Sequence, residues 1–256
     1  MKLIDKNTAS ILAHSSMLIG EAVFTSLLYY NQRFIFLDEH LTRLLSGAIF
    51  LFPEFNLGTD FVTELKKTLI ADSKAYQDNR SVRITLTREG YFIDFRPWVE
   101  NKAEISLGLS ENRKIRSMKP HYLKLSNYAL EFYELKKSKT DDLIYLDTEQ
   151  NLTEATTSNL FIINSENQLV TPPASSTVLA GILRKKLIEY LVAAGFKVQE
   201  REIKIEEFLH ANVVFLTNSI KGIRWINQFN EIKFEKSLML EKIVNEFGRY
   251  GERINE

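Results

Sequence analysis

The sequence predicts a mixed α/β (α+β) fold built in two halves, and three observations carry that expectation. Strand-like runs give way to helical spacing inside single segments, most plainly at Asp38. Short apolar strand runs follow one another beyond residue 140, with turn residues between them. Between these regions, VENKAE around residues 99–104 is a polar break. It divides the chain into a small N-terminal domain over 1–102 and a larger C-terminal domain over 103–256.

The first half opens with the β-prone EAVFTSLLYY, turns at Asn31-Gln32 and resumes as RFIFL. DEHLTRLLSGAIFLF then places Leu41, Leu44, Leu45 and Ala48 at helical spacing, with Asp38 in position to cap the helix. GTDFVTELKKTLIADS repeats the helical signature, and RSVRITLTREGYFIDFRPW reads as strand, turn, strand. The second half begins with the strand ISLGL, a basic link ENRKIRSMKPHYLK and the helix NYALEFYELKK. The strands DLIYLD, NLFII and LVTP follow. AGILRKKLIEYLVAAGF is an amphipathic helix with Ile182, Leu183, Leu187, Tyr190 and Leu191 on one face and Gly195 as its C-cap. KVQEREI, a short helix at IEEFLHA and the strand VVFLTN come after it.

Composition narrows the function. With 256 residues and 45% hydrophobic content, the chain can bury a substantial core. Its 33 basic and 33 acidic residues cancel, which argues against a nucleic-acid or anionic-membrane surface spread over the body. The absence of cysteine removes disulfides and thiolate nucleophiles, and it suits a reducing cytoplasm. His14, His40, His121 and His210 share no metal-ligand spacing, so no metal centre is expected. MKLIDKNTASILAHSSMLIGEAV is too interrupted by polar residues to read as a signal peptide, and no run approaches the roughly 20 apolar residues of a membrane span.

Several segments have the chemistry to hold an anion or activate an amine. SSTVLAGILRKK puts Gly181 at a helix start, where free backbone N–H groups and the helix dipole favour a phosphate. FLTNSIKGI ends a strand in Thr217, Asn218 and Ser219, all able to donate hydrogen bonds to phosphate oxygens. Arg43 stands on an otherwise apolar helical stripe, one turn beyond His40; snorkelling to solvent is the ordinary alternative. Lys124 lies among Tyr122, Leu123, Leu125 and Tyr128, a setting that desolvates an amine. Glu154, in LTEATTSNLFII, precedes the small polar residues Thr156, Thr157, Ser158 and Asn159. Packing alone gives no reason for such a strand start, which leaves a surface charge or a carboxylate aimed at a ligand.

Taken in order, GEAVFTS…LDEHLTRLLSGA, KLSNY, DDLIYLD…LTEATTSNLFII, LVTPP…LAGILRKKLIEYL and FLTNSIKGI resemble the class IV pyridoxal-phosphate enzymes. That group includes branched-chain aminotransferases, D-amino-acid aminotransferases and 4-amino-4-deoxychorismate lyases. The resemblance implies the two-domain fold type IV architecture, like D-amino-acid aminotransferase, with pyridoxal 5'-phosphate as cofactor at a cleft between domains. It implies a homodimer acting on a small amine or amino-acid substrate, with neither nucleic acid nor membrane as partner. Lys124 would be the Schiff-base lysine, on the C-terminal domain, and Glu154 the carboxylate facing the pyridine nitrogen. Arg43, the backbone at Ile182 and Leu183, and the Ser219 hydroxyl would hold the phosphate. Lys119, also in the basic link, is the competitor for the lysine role.

Departures from the family pattern point to one branch. The aminotransferases usually carry Phe-Glu-Thr where this chain has Phe24, Thr25 and Ser26, and Gly-Ile-Thr-Arg where it has Gly181 to Arg184. Both departures look like the lyases, as do TNSIKGI and the short chain; the placement of Asn127 three residues after Lys124 is like the lyases and the D-amino-acid enzymes alike. Against this, AHSSMLIGEAV replaces the usual opening, the stretch from Lys124 to Asp141 is short, and Trp225 stands where proline is common. The leading expectation is a lyase forming 4-aminobenzoate, a folate precursor, and pyruvate. The alternatives are an aminotransferase for branched-chain or D-amino acids and a non-catalytic binding protein on the same fold.

Overall fold

The computed structural model describes residues 20–254 apart from Asn56, Met118 and Lys236, without the side chains beyond Phe247. Residues 1–19, which hold most of the segment read above for a signal peptide, the altered opening AHSSMLI and His14, therefore lie outside the described residues. The chain forms two compact units. One comprises the described residues up to Val99 together with Tyr122–Tyr128; the other comprises Glu100–His121 and the residues from Ala129 onward. The break falls within the polar stretch at 99–104, a few residues before the boundary expected at 102/103. Lys124, expected on the larger domain, groups with the smaller one. Among the described residues, no helix is long and apolar enough to cross a membrane.

In the first unit, strands β1 (Ala22–Tyr30), β2 (Arg33–Phe34), β3 (Arg80–Thr87) and β4 (Tyr91–Pro97) form an antiparallel sheet in the order β2-β1-β3-β4. Asn31 and Gln32 both take positive φ, 48° and 61°, the turn geometry that matches the twist of a tight hairpin. Alternate residues of the sheet, among them Val23, Leu27, Val82, Ile84, Leu86 and Ile93, cluster with Leu41, Leu44 and Ala48 of α1 (Leu37–Leu51). Leu65 and Leu69 of α2 (Thr59–Ser73) complete that core.

Asp38 does not cap α1. The cap position is Phe36, in the left-handed region at φ 54°, and no side chain bonds there. The β1–β2 hairpin carries on to Ile35, whose N–H donates to Leu28 O, so the chain must turn sharply at the next residue. Asp38 falls instead in the first helical turn, where its charge favours the helix dipole.

β2 covers only the Tyr29–Tyr30 end of the β1 edge, and Tyr122–Tyr128 fills the other end. Phe24 N–H donates to Lys124 O at 3.0 Å, Ser126 N–H donates to Ala22 O at 3.1 Å, and Leu123 enters the core. Main-chain bonds thus place Lys124, whatever its side chain.

The second unit is built on a closed ring. Strands β5 (Glu104–Lys114), β6 (Asp142–Asp147), β7 (Leu152–Ala155), β8 (Asn159–Ile163), β11 (Val213–Asn218) and β12 (Gly222–Phe229) pair in the cycle β8-β11-β12-β5-β6-β7-β8. β9 (Leu169–Thr171) and β10 (Val198–Glu200) extend from the free part of the β8 edge, and β13 (Ile232–Lys233) pairs with β12. Closure occurs at Glu154↔Asn159.

Residues 160–163 of β8 and 213–216 of β11 are apolar runs, and both of their faces are covered. Leu160, Ile162, Val214 and Leu216 cluster with Leu107, Ile144 and Ile226 on one face. Phe161, Ile163, Val213 and Phe215 meet Leu187 and Leu191 of α4 (Ile182–Ala193) on the other, with Leu240 and Ile243 of α6 (Leu238–Ile254). Helix α3 (Ala129–Lys137) and the short α5 (Ile205–Leu209) connect strands. Gly195, at φ +84°, lies one residue past the α4 cap, and Phe196 N–H returns to Leu191 O at 2.9 Å.

Candidate active site

Arg43 and Lys124 are held by the first unit. Arg43 projects from α1 and is 9% exposed; its Nη2 donates to Thr25 Oγ1 at 3.2 Å. The same oxygen lies 2.7 Å from His40 Nδ1. A guanidinium can only donate, so Thr25 Oγ1 accepts from Arg43 and keeps its proton and a second lone pair for the contact with Nδ1. Burial, then the charges of Arg43 and Lys124, hold the His40 pKa well below its usual range, so the ring is neutral. Lys124 Nζ sits 4.8 Å from the centre of the Phe24 ring and 5.0 Å from that of Tyr128, themselves packed edge to face. The amine is therefore presented against two aromatic faces.

His40 gives this unit a defined pH response. The unfolded chain protonates the imidazole near pH 6.5, whereas the folded one resists protonation. The contribution to stability is full above about pH 6.5, begins to fall there as the unfolded chain takes up its proton, and goes on falling down to the lower pKa of the folded state. Thermal unfolding from about pH 7.5 down to about pH 5.5 is expected to show a steeper decline for the wild type than for His40→Gln. Parallel curves would refute the assignment.

Glu154, Ile182, Leu183 and Ser219 lie in the second unit. Glu154 is half-buried at the end of β7, and Oε2 accepts from Leu179 N–H at 2.9 Å and Asn159 Nδ2 at 3.3 Å. These donors orient the carboxylate, and no described residue donates to Oε1. Its charge is felt by Lys119: burial lowers the Lys119 pKa, and the Glu154 charge partly opposes that shift.

Asn159 Nδ2 also donates to Leu179 O at 2.8 Å, which fixes its side chain over the start of α4. A Cβ at Gly181 would stand 2.0 Å from Asn159 Oδ1, so this approach exists only because residue 181 has no side chain. Gly181 has φ −65°, so space rather than torsion demands the glycine. Gly181→Ala is expected to cost about 1–3 kcal/mol by overpacking. Urea unfolding measures it, and a stability equal to wild type would contradict the contact.

Beyond Gly181, the N–H groups of Ile182 and Leu183 begin α4 with no side-chain cap, leaving donors for an anion. Thr217 pairs with Asn159 across β11 and β8, so both side chains point to one face. Thr217 is 2% exposed and its Oγ1 has no hydrogen-bond partner among the described residues. Ser219 is half-buried in the turn after β11. The sequence reading did not assign roles to Thr25 and His40, although the His40–Arg43 spacing places them on one helical face.

The first unit thus carries an amine set between aromatic rings and a buried arginine, and the second an oriented carboxylate and a glycine-started helix, each a kind of group that suits part of a phosphorylated aromatic carbonyl cofactor. The family pattern described as amino-transferase class IV matches residues 22–229. The chain belongs to that family, whose members are pyridoxal-phosphate-dependent enzymes.

Among curated relatives, branched-chain-amino-acid aminotransferase 1 of Arabidopsis thaliana is 36% identical over 104 residues, 39% of this chain and 27% of that enzyme. The match thus spans about a quarter of the length of this plant relative. A Legionella pneumophila structure provisionally named a 4-amino-4-deoxychorismate lyase matches with TM-score 0.85 and 24% identity, over 97% of this chain and 98% of the other. A Brucella abortus aminotransferase bound to pyridoxal phosphate matches with TM-score 0.81 and 21% identity, over 97% and 94%. These likenesses show the fold. The donors fit the cofactor: the open oxygen of Glu154 suits a protonated ring nitrogen, and the uncapped α4 start with the unpartnered Thr217 hydroxyl suits a phosphate.

Proposed function

We propose that the protein is a pyridoxal-phosphate-dependent lyase converting 4-amino-4-deoxychorismate to 4-aminobenzoate and pyruvate. When bound, the cofactor supplies an electron-withdrawing ring attached to the substrate nitrogen. Lys124 would hold the cofactor through its amine, and as the free amine would take the proton from the amine-bearing ring carbon. The enolpyruvyl C–O bond then breaks, the substrate ring becomes aromatic, and protonation of the leaving group gives pyruvate. Glu154 keeps the pyridine nitrogen protonated, because an adjacent anion favours the charged form. Arg43, the N–H groups of Ile182 and Leu183, and Ser219 would hold the phosphate.

The observation that carries the lyase reading is Thr25. Where aminotransferases of the family usually carry glutamate, this chain places a hydroxyl between the neutral His40 and Arg43. A carboxylate there would pair with Arg43 and draw a proton onto His40. The Legionella neighbour supports the same reading. The second reading is an aminotransferase, favoured by the plant relative.

Incubation with aminodeoxychorismate and mass analysis of the products separates the two. Formation of 4-aminobenzoate with pyruvate supports the lyase. Ready transfer of an amino group from a branched-chain or D-amino acid to a keto acid, with no aminobenzoate formed, rejects it.

A further inference from the structure

The turn after β11 holds a cation that none of these roles uses. Asn218 builds the turn: its Oδ1 accepts from the N–H groups of Ile220 and Lys221 at 2.8 and 3.0 Å, while its Nδ2 donates to Thr157 O at 2.6 Å. The loop that follows Glu154 is thereby tied to the turn that carries Ser219. Lys221 reaches across the same junction, and Nζ donates to Thr157 Oγ1 at 3.3 Å. An ammonium has three donors, and this neutral hydroxyl is its one hydrogen-bond partner among the described residues.

The neighbouring charges do not neutralise it. Arg224 adds a second positive charge, and the nearby carboxylate, Asp142, is committed elsewhere. Asp142 Oδ2 accepts from Arg224 Nη2 at 3.0 Å; Oδ1 accepts from the N–H groups of Leu143 and Thr156 at 3.0 and 3.2 Å. One positive charge is left over at a half-buried position. Burial, and then Arg224, lower the Lys221 pKa, the mark of a cation short of solvent and of a counter-anion.

Resting on the reading above, we propose that Lys221 binds a carboxylate of the substrate, with Thr157 holding the ammonium in place, and so selects substrates with an acidic group remote from the reacting amine. The cofactor's phosphate is the other oxyanion such a cation suits; Lys221 Nζ, however, reaches toward the loop that follows Glu154. Branched-chain amino acids have no second acidic group to offer such a cation. The substrate of the proposed lyase does.

The test titrates the holoenzyme with 4-aminobenzoate and with aniline, which lacks the carboxylate. Wild type should prefer 4-aminobenzoate, and Lys221→Met should weaken that ligand by about tenfold or more while changing aniline less than about twofold. Lys221→Arg should restore the preference. With aminodeoxychorismate, the Lys221→Met effect should fall on KM rather than on kcat. Thr157→Val, which removes the tie but keeps the cation, should cost less than Lys221→Met. The proposal is overturned if wild type shows no preference, if both ligands weaken together, if Thr157→Val reproduces the full loss, or if affinity for pyridoxal phosphate falls instead. Wild type that makes no aminobenzoate would sink the lyase reading alone, because the ligand contrast still reads Lys221.

Discussion

Lys124→Ala is expected to abolish the cofactor's absorbance band and its bleaching by borohydride, and to lower turnover by about 10³-fold or more, within the range of a lost acid–base group. The protein should still fold. Lys124 contributes its carbonyl to Phe24 N–H, which alanine retains, and Leu123 keeps its place in the core. What disappears is the amine beside Phe24 and Tyr128. Lys119→Ala provides the control. The charge that acts most on its amine is Glu154, and the band should persist. Loss of the band in Lys119→Ala and its survival in Lys124→Ala would reverse the two assignments.

Glu154→Ala should lower kcat by about 10²–10³-fold, the usual effect of removing one preorganised charge from a reacting centre. Two consequences combine. The pyridine nitrogen loses the anion that keeps it protonated, and Leu179 N–H and Asn159 Nδ2 lose their shared acceptor. Glu154→Gln separates them, because its carbonyl oxygen can still accept both donors. If charge is the essential property, Gln will resemble Ala in kcat while remaining close to wild type in thermal stability. If Gln retains more than about a tenth of wild-type turnover, charge matters less than orientation and the proposed role is wrong.

The parts of the fold legible in the sequence are those where one local pattern decides the outcome. Asn31-Gln32 between β-prone runs gave the hairpin, and the apolar face of residues 182–191 gave α4. NLFII and VVFLTN announced strands because the ring buries both of their faces. β12 escaped notice because Arg224, Trp225 and Asn227 interrupt its apolar residues. Its charge is neutralised by Asp142, distant in sequence, and Trp225 N–H donates to Ala103 O, a bond no proline could make. β5 extends to Lys114 through ENRK, which read as a link because its residues are exposed or half-exposed.

The site divides along the same line. Arg43, Lys124, Glu154 and the α4 start could be named from residue type and order through the family resemblance. Thr25 and His40 acquire their roles from contacts across the first unit, and Lys221 from the loop it meets, so neither role can be read from neighbouring residues alone. The placement of Tyr122–Tyr128 with the first unit depends on how much of the β1 edge β2 leaves uncovered.

The ring has a consequence for how the chain is made. β5 emerges from the ribosome early, yet one of its neighbours, β12, is synthesised only after α4, β10 and α5. Until then one flank of the nascent sheet offers unsatisfied amides and carbonyls to any passing strand. Chains stalled shortly before Gly222 should therefore be the sticky species, dependent on chaperones, and supplying the missing strand as a separate peptide should quiet them.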